Sequence, residues 1–393
     1  MKLAAAALSA AALSAAAGAA WAQDTVKIGA LMIDSGPLAA FYQYSVAGLE
    51  TAVVEINEAG GINGRPVELV SMTYSGTPEA ALQTATRLVK NDKVAAVTGM
   101  IPTAVALAIA GRATALDTII IDPLSAAGTR CNQNYFRVKA SSEMLGATYK
   151  AFLQQNPLES WDIIAGDTTS GHDNAESFAE DVQELGGEVR KQLFTPVPTP
   201  DFGTYITQLN QEPAKGLLAI VYGADGVTFA KQQQQFGLLD KYEVVLGNNF
   251  AIPAVLPAMG DAALGVIQNV TYVPQVEGDG PRKFADAFAK IAGHEPDDVA
   301  FDMYTSMIAL AQAMNKAGTE EAAAVSKALE GLVIDSPVGP LEIRAEDHQM
   351  TRPYIFAEVV AAAPDSGKTV DYQIKSIIPA EEYMPPPSPE CTM

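Results

Sequence analysis

The sequence predicts an α/β fold of two lobes with parallel sheets, and three observations lead there. The chain has 393 residues, enough for two domains at roughly 100 to 200 residues each. Its composition, 48% hydrophobic and 18% charged, supports a large core and excludes disorder of the whole chain. Short apolar runs of strand length alternate with longer stretches of helical period, the order expected of βαβ units with right-handed crossovers.

The elements follow in chain order. Met1-Lys2-Leu3, an Ala/Leu run and Ala20-Trp21-Ala22 predict a secretory leader over residues 1–22, cut after Ala22, which sends the mature chain to an oxidising compartment. Strands are predicted at 26–33, 67–73, 94–97 and 118–122, with helices at 45–58, 78–90 and 103–116 between them. Residues 94–111 carry no charge, the lower edge of a membrane span. Thr98-Gly99 and Pro102-Thr103 interrupt that run, so it parses as strand, loop and helix. A second series opens after Tyr135-Phe136-Arg137-Val138: a helix at 143–153, strands at 162–165, 188–194, 216–222 and 244–247, and helices at 174–185, 202–209 and 226–236. A strand-like run at 266–273 precedes helices at 281–292, 299–316 and 320–329 and a β-rich stretch over 338–378. The tail, 379–393, holds Pro385-Pro386-Pro387 and Pro389 and few large apolar residues, so it reads as an extended strap outside the core.

Charge and chemistry narrow the function. Lys plus Arg is 25 against 46 for Asp plus Glu, a net charge of −21 that repels nucleic acid and anionic lipid. The 3 His and 2 Cys show no metal-ligand spacing, and no cofactor is expected. Ser170, His172 and Asp173 are triad residue types, but they are nearly adjacent, and Thr168 stands where a nucleophile elbow needs Gly. Gly60-Gly61-Ile62-Asn63-Gly64 follows a helix, so it reads as a helix cap and turn rather than a phosphate loop.

Loops that follow strands and open helices are the ligand-binding places of parallel sheets. In Gly99-Met100-Ile101-Pro102-Thr103, the Thr103 hydroxyl is suited to a ligand carboxylate, to capping the helix, or to both. Phe41 and Tyr42, after Ser35-Gly36-Pro37, either line a cleft or pack beneath a helix. Cys131 and Cys391, an even pair in an exported chain, favour a disulfide contributing about 4 to 5 kcal/mol before strain. The alternatives are free thiols or an intermolecular bridge.

Ser35-Gly36-Pro37, the run from Ile56 through Gly60-Gly61-Ile62-Asn63-Gly64-Arg65-Pro66 to Val70, Gly99 with Thr103, Ile121-Asp122-Pro123, Tyr135-Phe136-Arg137 and Val338-Gly339-Pro340-Leu341 stand in a recognisable order. In these the chain resembles the branched-chain amino acid binding proteins of ABC transporters. The resemblance implies a type I periplasmic binding protein fold: two Rossmann-like lobes joined by a three-crossing hinge, closing on a small ligand and then meeting permease subunits. Crossings near Val138, Val270 and Arg344 would divide the chain into 23–138 with 272–344, 139–271 with 345–378, and the strap 379–393.

By position, Thr103, following Pro102, falls where the family has a Ser that binds the ligand carboxylate, and Phe41, beside Tyr42, where it has a cleft aromatic. Leu124, Ser125 and Ala126 occupy the loop that holds the ligand's amino and carboxylate ends. Asn249 lies where leucine-binding members place a Glu against the ammonium, and Ser170 and Asp225 where they place tyrosines. Asp225 would then supply the missing charge from another angle. The implied molecule is a periplasmic, monomeric solute-binding protein without catalytic activity. Its ligand would be a small carboxylate, an amino acid first and an aromatic acid second, with amide or urea-type ligands also known in the family. An exported hydrolase and a periplasmic ligand sensor are the rival readings.

Overall fold

In a computed structural model that describes residues 24–126, 128, 131–387 and 391, the chain builds two large sheets and one small one. The leader expected at residues 1–22 lies outside the described residues. Strand β1 (Val26–Met32) leads through a 3-10 turn (Gly36–Phe41) into α1 (Tyr42–Glu58). After it come β2 (Val67–Thr73), α2 (Pro78–Lys90), β3 (Ala96–Gly99), α3 (Thr103–Ala110), α4 (Ala113–Leu116), β4 (Ile119–Asp122) and β5 (Tyr135–Arg137). The strands pair in parallel in the order β2-β1-β3-β4-β5. β3 and β4 are buried at every residue, as central strands covered on both faces must be. The one helix expected over 103–116 is two, because Gly111 ends α3 and α4 starts afresh after Arg112.

The second sheet is built by α5 (Ser142–Gln155), β6 (Ser160–Gly166), α6 (Thr169–Glu184), β7 (Glu188–Thr195), α7 (Gly203–Asn210), β8 (Gly216–Ile220), α8 (Gly223–Gln235), β9 (Val244–Gly247), α9 (Leu256–Met259) and β10 (Val266–Val270). Helix α6 starts at Thr169 rather than 174, since the Thr168 hydroxyl caps it by accepting from the Gly171 N–H at 3.1 Å. Its first turn is polar and shows no apolar period. Helix α8 likewise starts at Gly223 rather than 226.

The chain then returns to the first core with α10 (Asp279–Ala292), α11 (Asp298–Ala317), α12 (Ala322–Leu329), β11 (Val333–Ser336), β12 (Gly339–Ile343) and β13 (Met350–Thr351). Helix α11 lies so close to α1 that a Cβ at Gly48 would sit 2.3 Å from the Ala300 carbonyl oxygen. The Gly60–Gly64 turn docks on the end of α11, where the Asn63 N–H donates to Asn315 Oδ1 and Arg65 pairs with Glu320 at 2.9 Å. Finally β14 (Tyr354–Ala361) and β15 (Val370–Ile378) extend the second sheet in antiparallel fashion, giving β15-β14-β10-β9-β8-β6-β7.

The chain therefore passes between the two cores three times. The third passage is at Arg352-Pro353, later than the expected Arg344, because β12 first turns back to pair with β13 through Ile343 and Met350. Residues 345–351, expected in the second lobe, accordingly form the turn and the strand β13 (Met350–Thr351) that pairs with β12 beside the first core. The passages lie together. The Arg137 N–H donates to the His348 carbonyl, and Asp302 on α11 accepts from Thr271 Oγ1 at 3.0 Å and from Arg352 Nη1 at 2.6 Å.

The tail departs from the expected plain strap. Residues Ala380–Tyr383 form a helical turn, α13, against α5. Tyr383 is buried edge-on to Tyr354, and its hydroxyl donates to the Arg352 carbonyl at 2.8 Å. One aromatic is enough to hold the segment in the core of the second lobe. Cys131 and Cys391 are joined as a disulfide. No described helix is long and apolar enough to cross a membrane.

Candidate functional site

The expected residues stand in loops or first helical turns at the carboxyl ends of parallel strands in both large sheets or, for Phe41 and Tyr42, at the turn from β1 into α1. In the first lobe β3 ends at Gly99, whose φ of +115° and backbone proximity to Leu31 exclude a side chain: a Cβ would lie 2.3 Å from the Leu31 carbonyl oxygen. The loop is pinned by the Met100 N–H on Leu31 and by the Tyr74 hydroxyl on the Met100 carbonyl at 2.7 Å. Pro102, extended, takes the cap position of α3 and Thr103 becomes the first helical residue, exposed at the surface. The Thr103 hydroxyl is not used as a helix cap, so it stands beside the free amides of the helix N-terminus.

The next loop is organised by a residue that the sequence motif Ile121-Asp122-Pro123 contains but to which sequence reading assigns no role. Asp122, fully buried at the end of β4, accepts from the Leu124 and Ser125 N–H groups at 3.0 and 2.9 Å and from the Tyr135 hydroxyl. Burial pushes its carboxyl above the usual range, against these hydrogen bonds and the Arg137 charge. Two amides of the Leu124-Ser125-Ala126 loop are thus turned toward Asp122. Its Ala126 carbonyl accepts from the Ser142 N–H at the start of α5, joining the loop to the second lobe. The Asp-Pro-x-Ser pattern, an acid followed by the amides it caps, was the signal available in the sequence.

On the opposite side, Ser170 is exposed in the first turn of α6, and its hydroxyl lies 3.1 Å from that of Tyr222. Thr168 Oγ1 is 3.4 Å from both hydroxyls. Tyr222 stands at the cap of α8 and was missed because it reads as the last apolar residue of a strand. His172 points elsewhere: Nε2 is 2.8 Å from Asp167 Oδ1 and the ring stacks on Phe194. Ser170 and His172 therefore serve different partners. Asp225 Oδ2 accepts from the Thr199 N–H at 3.0 Å, which ties α8 to the loop after β7.

Asn249 follows β9 with a φ of +52°, a left-handed conformation that Asn tolerates better than Glu, and its amide donates to Asn248 Oδ1. It borders a cavity of about 10 Å³, room for one water, whose walls also include Lys139, Asn269, Thr271 and Asp298 at the passages between lobes.

The structure brings these residues into groups. Phe41 packs against both the first core and the core around Phe229, and its 3-10 turn rests on α8, so it reaches across the lobes; Tyr42 packs only on the first core. Ser170 joins Thr168 and Tyr222, while Asn249 sits by the hinge. Among the described residues, Thr103 and Pro102 make no hydrogen bond to the second lobe, and the Pro102 carbonyl accepts from Val105 and Ala106 within α3. Among the described residues no cluster of His, Cys, Asp or Glu is disposed to hold a metal ion.

Comparison with known proteins gives consistent matches. The family model for the periplasmic binding protein matches residues 25–367. The Leu/Ile/Val-binding protein homolog 4 of Brucella abortus (strain 2308) is 23% identical, with 96% of this chain and 94% of that protein aligned. A solute binding protein of an ABC transporter from Rhodopseudomonas palustris BisB5, solved in complex with 3,4-dihydroxy benzoic acid, superposes with a TM-score of 0.80 at 22% identity, over 91% of this chain and 98% of that one. The leucine-, isoleucine-, valine-, threonine- and alanine-binding protein from Brucella ovis, in a closed conformation, superposes with a TM-score of 0.82 at 20% identity, over 94% and 99%.

Proposed function

Because the chain belongs to the periplasmic binding protein family, we propose that it is the solute-binding component of an ABC importer, holding a small carboxylate-bearing ligand between lobes that close on it. The observation that carries this reading is that polar groups stand at the carboxyl ends of the parallel strands in each lobe, with Phe41 packed on both cores. The α3 N-terminus with the Thr103 hydroxyl is suited to a carboxylate, and the hydroxyls of Thr168, Ser170 and Tyr222 are suited to the ligand's other pole. Phe41, touching both cores, supplies an apolar wall. Closure is a two-state equilibrium in which the ligand contributes by touching both lobes only in the shut form. The mature, monomeric protein would act in the periplasm after cleavage following Ala22 and present its closed face to permease subunits. The same cleft would serve a ligand sensor. Hydrolysis is disfavoured because Ser170 and His172 hold separate partners.

An amino acid is the first ligand class, supported by the Leu/Ile/Val-binding relatives. Aromatic carboxylates are the second. Specific observations favour them: Asn249 offers an amide where an ammonium would want an acid, and Asp225 already accepts from Thr199. A structural neighbour solved with 3,4-dihydroxy benzoic acid supports the same reading. A thermal-shift panel of leucine, isoleucine, valine, amides, urea, benzoate and hydroxybenzoates, run on protein refolded to strip carried ligand, tests it. A micromolar ligand at about 1 mM adds roughly 4 kcal/mol. A shift with amino acids alone establishes the first class and one with aromatic acids alone the second; silence across the panel overturns both.

A further inference from the structure

The disulfide ties the first lobe to the tail that leaves the second lobe at α13. Cys131 belongs to the first lobe. Its neighbour Asn132 accepts from Thr114 Oγ1 at 3.0 Å and from the Asn134 N–H, and the Gln133 carbonyl accepts from Ser326 on α12. Cys391 arrives from the second lobe: the chain leaves β15, turns through α13 against α5, and is anchored there by Tyr383 and Met384. It then changes sides. The Pro385 carbonyl accepts from Arg344 Nη1 at 2.7 Å, and Arg344, held by Asp347, belongs to the turn after β12. The Cα atoms of Cys131 and Cys391 are 5.1 Å apart.

We propose that the C-terminal strap and the Cys131–Cys391 bridge form a fourth, covalent crossing between the lobes that limits how far they open. The inference rests on the hinged-closure reading above. Between its second-lobe anchor at Tyr383 and Cys391 the chain is eight residues long and reaches at most about 25 Å at ~3.1 Å per residue, with Pro385-Pro386-Pro387 restricting it. A tether of set length removes the widest members of the open ensemble, as a disulfide removes expanded members of an unfolded one. The binding-competent fraction then rises, and the apparent Kd falls in proportion. Cys131 is exposed, so the bridge is open to thiol exchange. Reduction by dithiothreitol delivers two electrons and two protons, giving two cysteine thiols while the reductant closes to its cyclic disulfide.

The test is an interlobe distance measurement on the mature protein, with spin labels on ketone-bearing residues introduced at the exposed positions Gln83 on α2 and Gln234 on α8. Three forms are compared: oxidised, reduced, and an oxidised variant with a Gly-Ser-Gly-Ser-Gly-Ser insert after Pro387, which keeps the bridge but slackens the strap. Each is measured alone and with saturating L-leucine or benzoate. The expected result is a longer and broader distance distribution in the reduced and slackened forms without ligand, and an affinity about 2- to 10-fold weaker for whichever probe binds. If reduction unfolds the protein, the slackened form alone decides. Distances that respond to ligand but are the same in all folded forms overturn the tether and leave hinged closure standing. Distances that change with neither ligand nor tether overturn hinged closure and the tether with it.

Discussion

Thr103 stands one residue past the cap position that its side chain would suit, with Pro102 in that place, and the result is a hydroxyl left at the mouth of a helix. The loop that the family resemblance assigns to the ligand's amino and carboxylate ends holds Ser125, buried and shaped by Asp122. Replacing both, Thr103→Ala with Ser125→Ala, is expected to weaken ligand binding by about 1 to 3 kcal/mol by calorimetry, on protein whose cooperative melting shows that it is folded. Unchanged affinity would remove these two residues from the site. The strand-following loop of Thr103 was legible from the alternating pattern, whereas Ser170 and Asn249 stand as ligand positions only by the family resemblance. Tyr222 was not legible, because its role appears only when Ser170, 52 residues away, is brought beside it, while Asp122 had a local signal in Asp-Pro-x-Ser that went unused. Asn249 carries two meanings that sequence cannot separate: a changed ligand and a left-handed backbone.

Helix α11 shows what an element can hide. Its apolar period marked it clearly, and α2 was legible to its ends because Thr77 caps it, Pro78 opens it and Arg87 and Lys90 close it. The polar first turn of α6 and the break between α3 and α4 were not legible, since neither disturbs a hydrophobic pattern. At the start of α11 the buried carboxyls Asp297, Asp298 and Asp302 gather, faced by Lys139 and Arg352. Burial pushes Asp298 up to about 6, Lys139 pulls against it and Asp302 adds to it. A carboxyl whose folded pKa is raised gains a proton in the folded state first, so its stabilisation is full below about 4 and is lost as pH rises through about 6. The native chain is therefore expected to gain stability between pH 7 and pH 5 relative to Asp298→Asn, by about 1 kcal/mol, in paired urea melts. His348, whose pKa burial lowers, works in the opposite sense in both proteins and cancels in the comparison. Parallel curves for the two would show that Asp298 does not titrate in this window.

At the scale of the whole molecule, Asp302 and Arg352 bind the passages together, with Arg352 also over the Phe301 ring at 5.4 Å. Arg352→Leu leaves a buried carboxylate without its counter-charge and is expected to cost about 3 to 5 kcal/mol in urea unfolding; a loss below about 1 kcal/mol would mean that Asp302 is readily satisfied without it. The order of the chain carries a further consequence. Strand β10 receives its antiparallel neighbour only when β14 arrives, and the first sheet lacks the cover of α11 until residues 298–317 exist. Neither half can be completed by a chain growing from its N-terminus until close to its last strand, and every shorter nascent length leaves an apolar face or a strand edge bare. Folding must then largely wait for synthesis to finish, and a polypeptide in that condition remains one that can be threaded through a narrow pore.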